Sequence, residues 1–279
     1  MTVTPIPADT FCPGRFAGQV MLVTGAAGGM GLACATRAAL EGAAVVLADI
    51  NAEAAEAAAG GIADRGGRAI GIGADITRRE DCAAMVAAAA DTFGGLDIAI
   101  NNAGVMDGGR DGPPAPMHLA GDLYLRRTIE INLLGTMFAC AAELARMVNQ
   151  GRGGVIVNVG SITGLTGSAG TPAYVASKHA VSGLTRSIAI DYAPFGVRCN
   201  SVNMAATQTP MLERATEFVM SKQGAADAAA PRAVVKSAPL IARASTVWEQ
   251  AAVILFAASP EASYMTGALL ASDGGWTAY

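Results

Sequence analysis

Short runs rich in valine, isoleucine and leucine alternate along this chain with stretches that have helical spacing. The apolar runs cover residues 20–25, 43–49, 69–75, 96–104, 154–161, 196–202 and 267–275. Strands that alternate with helices form βαβ units, and strands that are apolar along their whole length belong to a parallel sheet covered on both faces. The sequence therefore predicts an α/β fold with a doubly wound parallel sheet of about seven strands.

The alternation continues to the C-terminus without a linker or an internal repeat. It predicts a single domain over residues 16–279, preceded by an N-terminal extension over residues 1–15. Two segments interrupt the alternation, at residues 105–122 and at about 204–245. Long excursions beyond the strand ends of such folds often cover a ligand, so we expect the second segment to form a substrate lid.

Composition excludes several classes of function. The net charge is −4 and the basic residues are scattered, which argues against a nucleic-acid partner. No apolar run reaches the roughly 18 residues of a membrane span. The five cysteines form no C-x-x-C pair and there are only two histidines, so neither a disulfide framework nor a metal site is indicated. We expect a reduced, cytoplasmic protein.

A glycine cluster follows the first predicted strand, in the stretch "VMLVTGAAGGMG" over residues 20–31. Gly25, Gly29 and Gly31 fall where a chain turns tightly, approaches a pyrophosphate and packs a helix on a sheet. The helix that begins near Gly31 would offer backbone N–H groups and the positive end of its dipole to the phosphates. This context of strand, turn and helix is typical of the dinucleotide site of a Rossmann fold.

An acidic residue, Asp49, ends the next predicted strand, 24 positions after Gly25. A carboxylate at this point can accept hydrogen bonds from both ribose hydroxyls of an adenosine, and it would repel a 2′-phosphate. No arginine or lysine lies in the glycine turn or directly after Asp49. The sequence therefore favours NAD over NADP.

Further motifs extend the pattern beyond the nucleotide turn. They are "TGAAGGMG" at 24–31, "NNAG" at 101–104, "YVASK" at 174–178, Ser161 thirteen residues before Tyr174, and Asn132 in "EINLLGTM". In these motifs the sequence resembles the short-chain dehydrogenases/reductases, in their compact single-domain branch, and the resemblance spans residues 16–277. It implies an NAD-dependent enzyme that is commonly a homotetramer.

The resemblance also implies which residues contact the cofactor. Asp75 and Ile76 would flank the adenine, Asn102 and Gly104 would shape the floor of the site, and Thr209 would meet the nicotinamide carboxamide. The full implied set is Gly25, Gly29, Met30, Gly31, Asp49, Ile50, Asp75, Ile76, Asn102, Ala103, Gly104, Tyr174, Lys178, Thr207 and Thr209.

One segment departs from the family pattern. Where the family usually has Pro-Gly, the stretch "NSVNMAATQTP" has Met204 and Ala205. The change affects the expected backbone path over the nicotinamide. It leaves a second interpretation of Thr207 and Thr209, as residues that only cap a loop.

Tyr174 and Lys178 lie one turn apart on a predicted helix that begins with Thr171 as its N-cap and Pro172 in its first turn. A free phenol is a poor base at neutral pH, but a nearby ammonium favours the phenolate and lowers its pKa. We therefore expect Tyr174 to act as the general base in alcohol oxidation and as the general acid in ketone reduction.

The remaining catalytic roles come from the resemblance. Ser161 would donate a hydrogen bond to the substrate oxygen, and Asn132 would hold a water that connects Lys178 to solvent. Lys178 would also bind the ribose hydroxyls. The phenol and serine donors would stabilise the developing alkoxide, so no metal is required.

Apolar side chains in the two interrupting segments indicate the substrate. They are Met106, Met117, Met204, Met211, Leu212, Phe218, Val219 and Met220. Methionine and aromatic side chains form adaptable apolar walls, which suits a hydrophobic secondary alcohol or ketone, cyclic compounds included. The alternative is that these residues only pack the lid.

Three functions remain open from the sequence. The first is an NAD-dependent alcohol dehydrogenase that works mostly in the oxidative direction. The second is a 3-oxoacyl-thioester reductase, which would be expected to prefer NADPH and to carry basic residues near the site. The third is a non-catalytic NAD(H)-binding scaffold, which the filled catalytic positions disfavour.

Overall fold

A seven-stranded parallel sheet forms the centre of the molecule, with strand order β3-β2-β1-β4-β5-β6-β7. The computed structural model describes residues 10–106, 114–213 and 239–278. The strands are β1 (Val20–Thr24), β2 (Ala44–Asp49), β3 (Arg68–Gly73), β4 (Ile98–Asn101), β5 (Gly154–Val159), β6 (Val197–Met204) and β7 (Leu269–Ser272). This architecture confirms the predicted doubly wound sheet.

Helices cover both faces of the sheet. They are α1 (Gly29–Leu40), α2 (Ala52–Ala63), α3 (Arg79–Phe93), α4 (Asp122–Ile129), α5 (Thr136–Gln150), α6 (Pro172–Tyr192) and α7 (Val247–Ala258). Single 3₁₀ turns lie at Met117–Leu119, Ile162–Gly164, Ala193–Phe195 and Pro260–Ala262, and a π-helical segment, Glu130–Gly135, joins α4 to α5. One core cluster packs α1, α2 and α7 on the sheet, and a second packs α3, α5 and α6 on the other face.

The strand order reverses between β1 and β4, which are neighbours in the sheet although two strands separate them in sequence. In open α/β sheets the ligand crevice lies at the carboxyl ends of the strands where this reversal occurs. Here the reversal brings the turn after β1 against the chain after β4: Asn102 Nδ2 donates to the Gly25 carbonyl oxygen at 3.1 Å. The topology thus places two of the sequence motifs side by side.

Strand β6 is longer than the predicted run at 196–202, because it continues through Met204. Asn203 and Met204 pair in register with Ala271 and Ser272 of β7. A proline has no backbone N–H for a strand ladder, whereas methionine has one. The Met204 side chain also packs against the core cluster on the face of α1 and α7.

The helical segment from Asp122 to Gln150 passes a length and composition test for a membrane-crossing helix, with a mean hydropathy of 1.3. In this fold, however, the segment packs into the core: Tyr124 and Met147 are fully buried. Its most apolar window is 44% buried inside the protein. Helices in the core of a folded domain can be as long and as apolar as a helix that crosses a membrane.

A buried polar cluster joins β4 and β5 beneath the site. Asn101 Nδ2 donates to Asn158 Oδ1 at 3.1 Å and to Glu143 Oε2 of α5 at 3.0 Å. Asn158 Nδ2 in turn donates to Thr185 Oγ1 of α6 at 3.0 Å. Burial raises the pKa of Glu143 to about 7, with the Asn101 hydrogen bond acting in the opposite direction. The carboxyl group is therefore half protonated near neutral pH.

The raised pKa makes stability depend on pH. Between about pH 4.5, where an unfolded glutamate titrates, and about pH 7, the folded protein binds the Glu143 proton and the unfolded chain does not. The free energy of unfolding must therefore fall as the pH rises through this window. Glu143→Gln keeps the shape and an oxygen acceptor for Asn101 but removes the titration.

We expect the difference in unfolding free energy between Glu143→Gln and the wild type to shift in favour of the variant from pH 5 to pH 8. The shift should reach up to about 3 kcal/mol, the equivalent of the change in pKa. Urea unfolding of both proteins at several pH values measures it. A difference that stays constant over this range would contradict the assigned protonation.

Candidate active site

The glycine turn between β1 and α1 leaves no room for side chains at two positions. A Cβ on Gly31 would lie 2.2 Å from the Gly25 carbonyl oxygen. A Cβ on Gly25 would lie 2.9 Å from Ala103 Cα, and Gly25 also has a positive φ of 64°. These close approaches let the first turn of α1 pack directly on the end of β1 and beside the chain after β4.

The N-terminus of α1 presents unused backbone donors. Its N-cap, Gly28, supplies no side-chain cap. Within the described parts of the chain, the N–H groups of Gly29, Met30 and Gly31 donate to no acceptor. Three such donors at the positive end of a helix dipole form a site for an anion such as a pyrophosphate. The Met30 side chain is buried in the core, which leaves its N–H as the group that can face a ligand.

Thr24 and Asn102 hold the turn in place. Thr24 Oγ1 accepts hydrogen bonds from the N–H groups of Asn102 at 3.0 Å and Ala103 at 3.1 Å. Asn102 Nδ2 donates back to the carbonyl oxygens of Thr24 and Gly25. The Asn102 side chain therefore braces the turn. The contribution of Thr24 was not expected from the sequence, although it opens the "TGAAGGMG" motif.

Asp49 also contacts the glycine turn. One carboxylate oxygen accepts from the Ala27 N–H and the other from the Asn51 N–H, both at 3.0 Å. The carboxylate thus lies beside the donors at the start of α1, where an adenosine ribose would extend from a bound pyrophosphate. The next residue, Ile50, has 74% of its surface exposed, and an apolar side chain so exposed is available to a ligand.

Asp75 and Ile76 follow β3, and their side chains are already engaged. Asp75 Oδ1 accepts from the N–H and the hydroxyl of Thr77, at 2.9 and 2.7 Å. Ile76 is buried, and its side chain would meet a Cβ on Gly135 at 2.7 Å, so it packs closely on the π-helical segment. The contact of these two residues with an adenine stays a prediction. Within the described residues, Asp75 Oδ2 accepts no hydrogen bond and is available to a ligand.

Helix α6 carries Tyr174 and Lys178 one turn apart, as predicted. Lys178 is buried, its Nζ donates to the Val159 carbonyl oxygen at 2.9 Å, and it lies 5.7 Å from the centroid of the Tyr174 ring. Burial lowers the pKa of Lys178 to about 8. The same pocket contains Gly104, since a Cβ there would lie 3.7 Å from Lys178 Nζ.

The pKa of Tyr174 differs from the sequence-based expectation. Burial raises it above the ordinary value for a phenol, and the group that acts to lower it is Ser161, through a side-chain hydrogen bond. Lys178 Nζ is directed at the Val159 carbonyl oxygen, and burial disfavours its charged form. The side chains of the protein therefore hold Tyr174 protonated, and Ser161 has more influence on it than we expected.

Asn132 lies in the π-helical segment, a type of irregularity that is frequent at functional sites. Its Oδ1 accepts from the Val105 N–H and its Nδ2 donates to the Val105 carbonyl oxygen, both at 2.7 Å. The same Nδ2 also donates to Ser177 Oγ on α6 at 3.2 Å. The side chain thus clamps the chain after β4 to the helix that carries Tyr174, while its expected role in holding a water stays a prediction.

The start of α6 is as predicted, with Thr171 as the N-cap and Pro172 in the first turn, and the Thr171 side chain makes no capping hydrogen bond. Tyr124 on α4 is buried, and burial raises the pKa of its hydroxyl, with the backbone N–H groups of Tyr174 and Ala173 acting in the opposite direction.

Thr207 and Thr209 use their hydroxyls within the loop after β6. Thr207 Oγ1 lies 3.0 Å from Ser245 Oγ, and Thr209 Oγ1 accepts from the Leu212 N–H at 3.3 Å. The Thr209 methyl carbon would still lie 3.7 Å from a Cβ on Gly29, so this residue reaches the glycine turn. These contacts support the capping interpretation for both residues and keep Thr209 beside the predicted cofactor site.

Part of the expected substrate wall is described by the structure. Met117 is exposed over 65% of its surface, whereas Met204 packs against the core and does not form a free wall. Phe218, Val219 and Met220 lie outside the described residues, as does most of the predicted lid.

The sequence model of the family described as short chain dehydrogenase matches residues 19–219. The chain belongs to this family. The match begins one residue before β1 and includes the glycine turn, Asn132, Ser161, Tyr174 and Lys178. Dehydrogenases of this family use a nicotinamide cofactor, and the glycine turn with its free N–H groups fits one.

Among curated proteins, the chain is 39% identical to a 3beta-hydroxysteroid dehydrogenase of Mediterraneibacter gnavus, with 96% of this chain and 98% of the relative covered. It is also 39% identical to a cis-4-hydroxycyclohexanecarboxylate dehydrogenase of Sinomonas cyclohexanicum, with 94% and 98% covered. Among solved structures, levodione reductase superposes with a TM-score of 0.84 at 31% identity, with 95% of this chain and all of that chain covered. The chain thus spans nearly the whole length of each of these proteins, and it shares its fold with the solved reductase.

Proposed function

We propose that the protein is an NAD-dependent dehydrogenase that oxidises a hydrophobic, cyclic secondary alcohol to a ketone, reversibly. The observation that carries the proposal is the position of buried Lys178, whose Nζ lies 5.7 Å from the centroid of the Tyr174 ring and donates to the Val159 carbonyl oxygen, two residues before Ser161. These groups lie at the strand edge that also holds the glycine turn. Oxidation of an alcohol requires one group that donates a hydrogen bond to the alcohol oxygen and a second group that accepts its proton.

The side chains divide the proton chemistry between them. Ser161 donates a hydrogen bond to the substrate oxygen and fixes its position, and Tyr174 takes the hydroxyl proton during oxidation or returns it during reduction. Lys178 stabilises the phenolate that oxidation requires. When a nicotinamide is bound, it supplies the hydride acceptor and a positive charge near the phenol.

Two kinds of observation support a cyclic substrate. The relatives named above act on a hydroxysteroid and on a hydroxycyclohexanecarboxylate, both of which carry a secondary alcohol on a ring. The described part of the chain also leaves Met117 and Leu119 exposed in the segment after β4. Exposed apolar side chains in a segment that follows a strand end suit a substrate that is apolar apart from its hydroxyl.

Asp49 supports NAD over NADP. Its carboxylate lies at the glycine turn, bound to the Ala27 N–H, and no arginine or lysine lies in the turn or directly after Asp49. A negative charge there accepts ribose hydroxyls and repels the 2′-phosphate of NADP.

Assembly and location belong to the same proposal. Exposed apolar side chains on α4, the π-helical segment, α5 and α6, among them Leu123, Leu134, Met137 and Ile190, support burial in a homotetramer. The five cysteines are free thiols, four of them buried, which supports a reducing cytoplasmic compartment.

Tyr174→Phe tests the proposed chemistry. Without the phenol oxygen the substrate proton has no acceptor, so turnover of cyclic alcohols should fall by ~10²–10⁴ while NADH binding stays within about threefold of the wild type. Steady-state oxidation and NADH fluorescence titration measure the two quantities. Tyr192→Phe, the same change about 27 Å further along α6, is the control and should behave as the wild type. Equal turnover in Tyr174→Phe and Tyr192→Phe would sink the mechanism and favour a non-catalytic scaffold.

Asp49→Asn tests the choice of cofactor. The amide keeps one oxygen acceptor for the backbone donors and removes the charge, so the ratio of kcat/KM for NAD to that for NADP should fall at least ~10-fold. The control is Asp64→Asn, which makes the same charge change at the exposed C-terminus of α2. An unchanged ratio in Asp49→Asn, or a wild type that prefers NADP, would contradict the assignment and favour the thioester-reductase alternative.

A further inference from the structure

Ser161 has a close neighbour, Thr163, that the family motifs do not include. Ser161 Oγ accepts a hydrogen bond from the Thr163 hydroxyl at 2.9 Å and a second from the Thr163 backbone N–H at 3.2 Å. Both donors come from the 3₁₀ turn Ile162–Gly164, for which Ser161 is the N-cap. Ser161 itself is buried and Thr163 is half-buried.

These two bonds determine what the serine can do. A hydroxyl has one proton to donate and two lone pairs that accept. With both lone pairs of Ser161 occupied by Thr163, the serine proton is directed away from the turn. It is available to Tyr174, whose pKa Ser161 acts to lower.

We propose that Thr163 is a positioning residue: its hydroxyl occupies an acceptor site of Ser161, so that the serine proton is directed at Tyr174 in the free protein and at the alcohol oxygen once an alcohol is bound between them. The inference rests on the dehydrogenase function proposed above. It assigns to Thr163 a role that does not require contact with the substrate or the cofactor.

The consequence for the reaction follows from the direction of the serine proton. During oxidation the alcohol loses its proton to Tyr174 and its oxygen becomes negative as the carbon gives up hydride, and a donated hydrogen bond stabilises that charge. Without Thr163 the Ser161 hydroxyl can rotate and donate back into its own turn. Because Ser161 is the group that lowers the pKa of Tyr174, the loss of this donation must raise that pKa.

The backbone of the turn does not depend on the Thr163 hydroxyl. The Gly164 N–H donates to the Ser161 carbonyl oxygen, and the N–H groups of Leu165 and Thr166 donate to the Ile162 carbonyl oxygen, all at 2.8 Å. Thr163→Val keeps the β-branched shape and removes only the donor. Thr163→Ser keeps the donor and removes the methyl group.

Thr166→Val supplies a matched control. Its hydroxyl lies three residues further along the same loop and donates to the Ile162 carbonyl oxygen at 3.0 Å, not to Ser161. The substitution is chemically identical to Thr163→Val. An effect that comes from loosening the loop would therefore be common to both variants.

The kinetic experiment measures alcohol oxidation with NAD as a function of pH in the three variants and the wild type. In Thr163→Val we expect kcat to fall about 3- to 10-fold, the KM for NAD to stay unchanged, and the acidic limb of the kcat/KM profile to move to higher pH. Thr163→Ser should recover most of the activity, and Thr166→Val should match the wild type. Equal pH profiles for Thr163→Val and the wild type would overturn the proposal.

A second readout needs no turnover. The ultraviolet absorbance of tyrosinate is titrated in the protein without cofactor, and the Tyr174→Phe titration is subtracted to isolate Tyr174. Its titration should move to higher pH in Thr163→Val and not in Thr166→Val, and Thr163→Ala replaces the valine variant if that one does not fold. An unmoved titration contradicts the role of Thr163 even if the enzyme acts on another substrate. A wild type that oxidises no alcohol, with the titration moved as expected, contradicts the proposed function alone.

Discussion

The parallel sheet brings the whole candidate site to one edge, because every strand of a parallel sheet ends on the same side. The glycine turn follows β1, Asp49 ends β2, the "NNAG" segment ends β4 and Ser161 follows β5. Tyr174, Lys178 and Asn132 come from helical segments, and Asn132 ties one of them to the chain after β4 through Ser177. The ends of the strands therefore position Ser161 and the nucleotide-binding groups, and contacts between helices and strand ends position the rest.

Burial controls the charges at this edge. It raises the pKa of Tyr174 and lowers that of Lys178, so both groups are shifted toward their neutral forms by the same cause. The Ser161 hydrogen bond opposes the shift at the phenol. Tyr174 is thus held as a protonated phenol, which suits the general acid of ketone reduction. To act as the base in alcohol oxidation, it needs hydrogen-bond donors and positive charge directed at its phenol oxygen.

Much of this arrangement could be predicted from the sequence because local patterns determine it. The apolar runs predicted all seven strands, and motif spacing predicted the helix of Tyr174 and Lys178. The pairing of residues distant in sequence could not be predicted in the same way. Thr24 and Asn102 are 78 positions apart, and Asn101 and Glu143 are 42 apart, so their hydrogen bonds appear only once the sheet is assembled.

One sequence-based expectation differs from the structure for a physical reason. The pKa of Tyr174 lies above the ordinary value for a phenol, because burial outweighs the effect of Ser161 and spacing on a helix does not report desolvation. Thr171 is the N-cap of α6 as predicted, and its side chain makes no capping hydrogen bond.

The most direct test of the account follows one hydrogen atom. A cyclic secondary alcohol with deuterium on its carbinol carbon is incubated with the enzyme and NAD, and the products are analysed by NMR. Direct hydride transfer predicts a ketone without deuterium and a reduced cofactor with one deuterium at nicotinamide C4, added on a single face. Deuterium released to water, or no reduced cofactor formed from any ring alcohol, would contradict the assignment of this site as a dehydrogenase of cyclic alcohols.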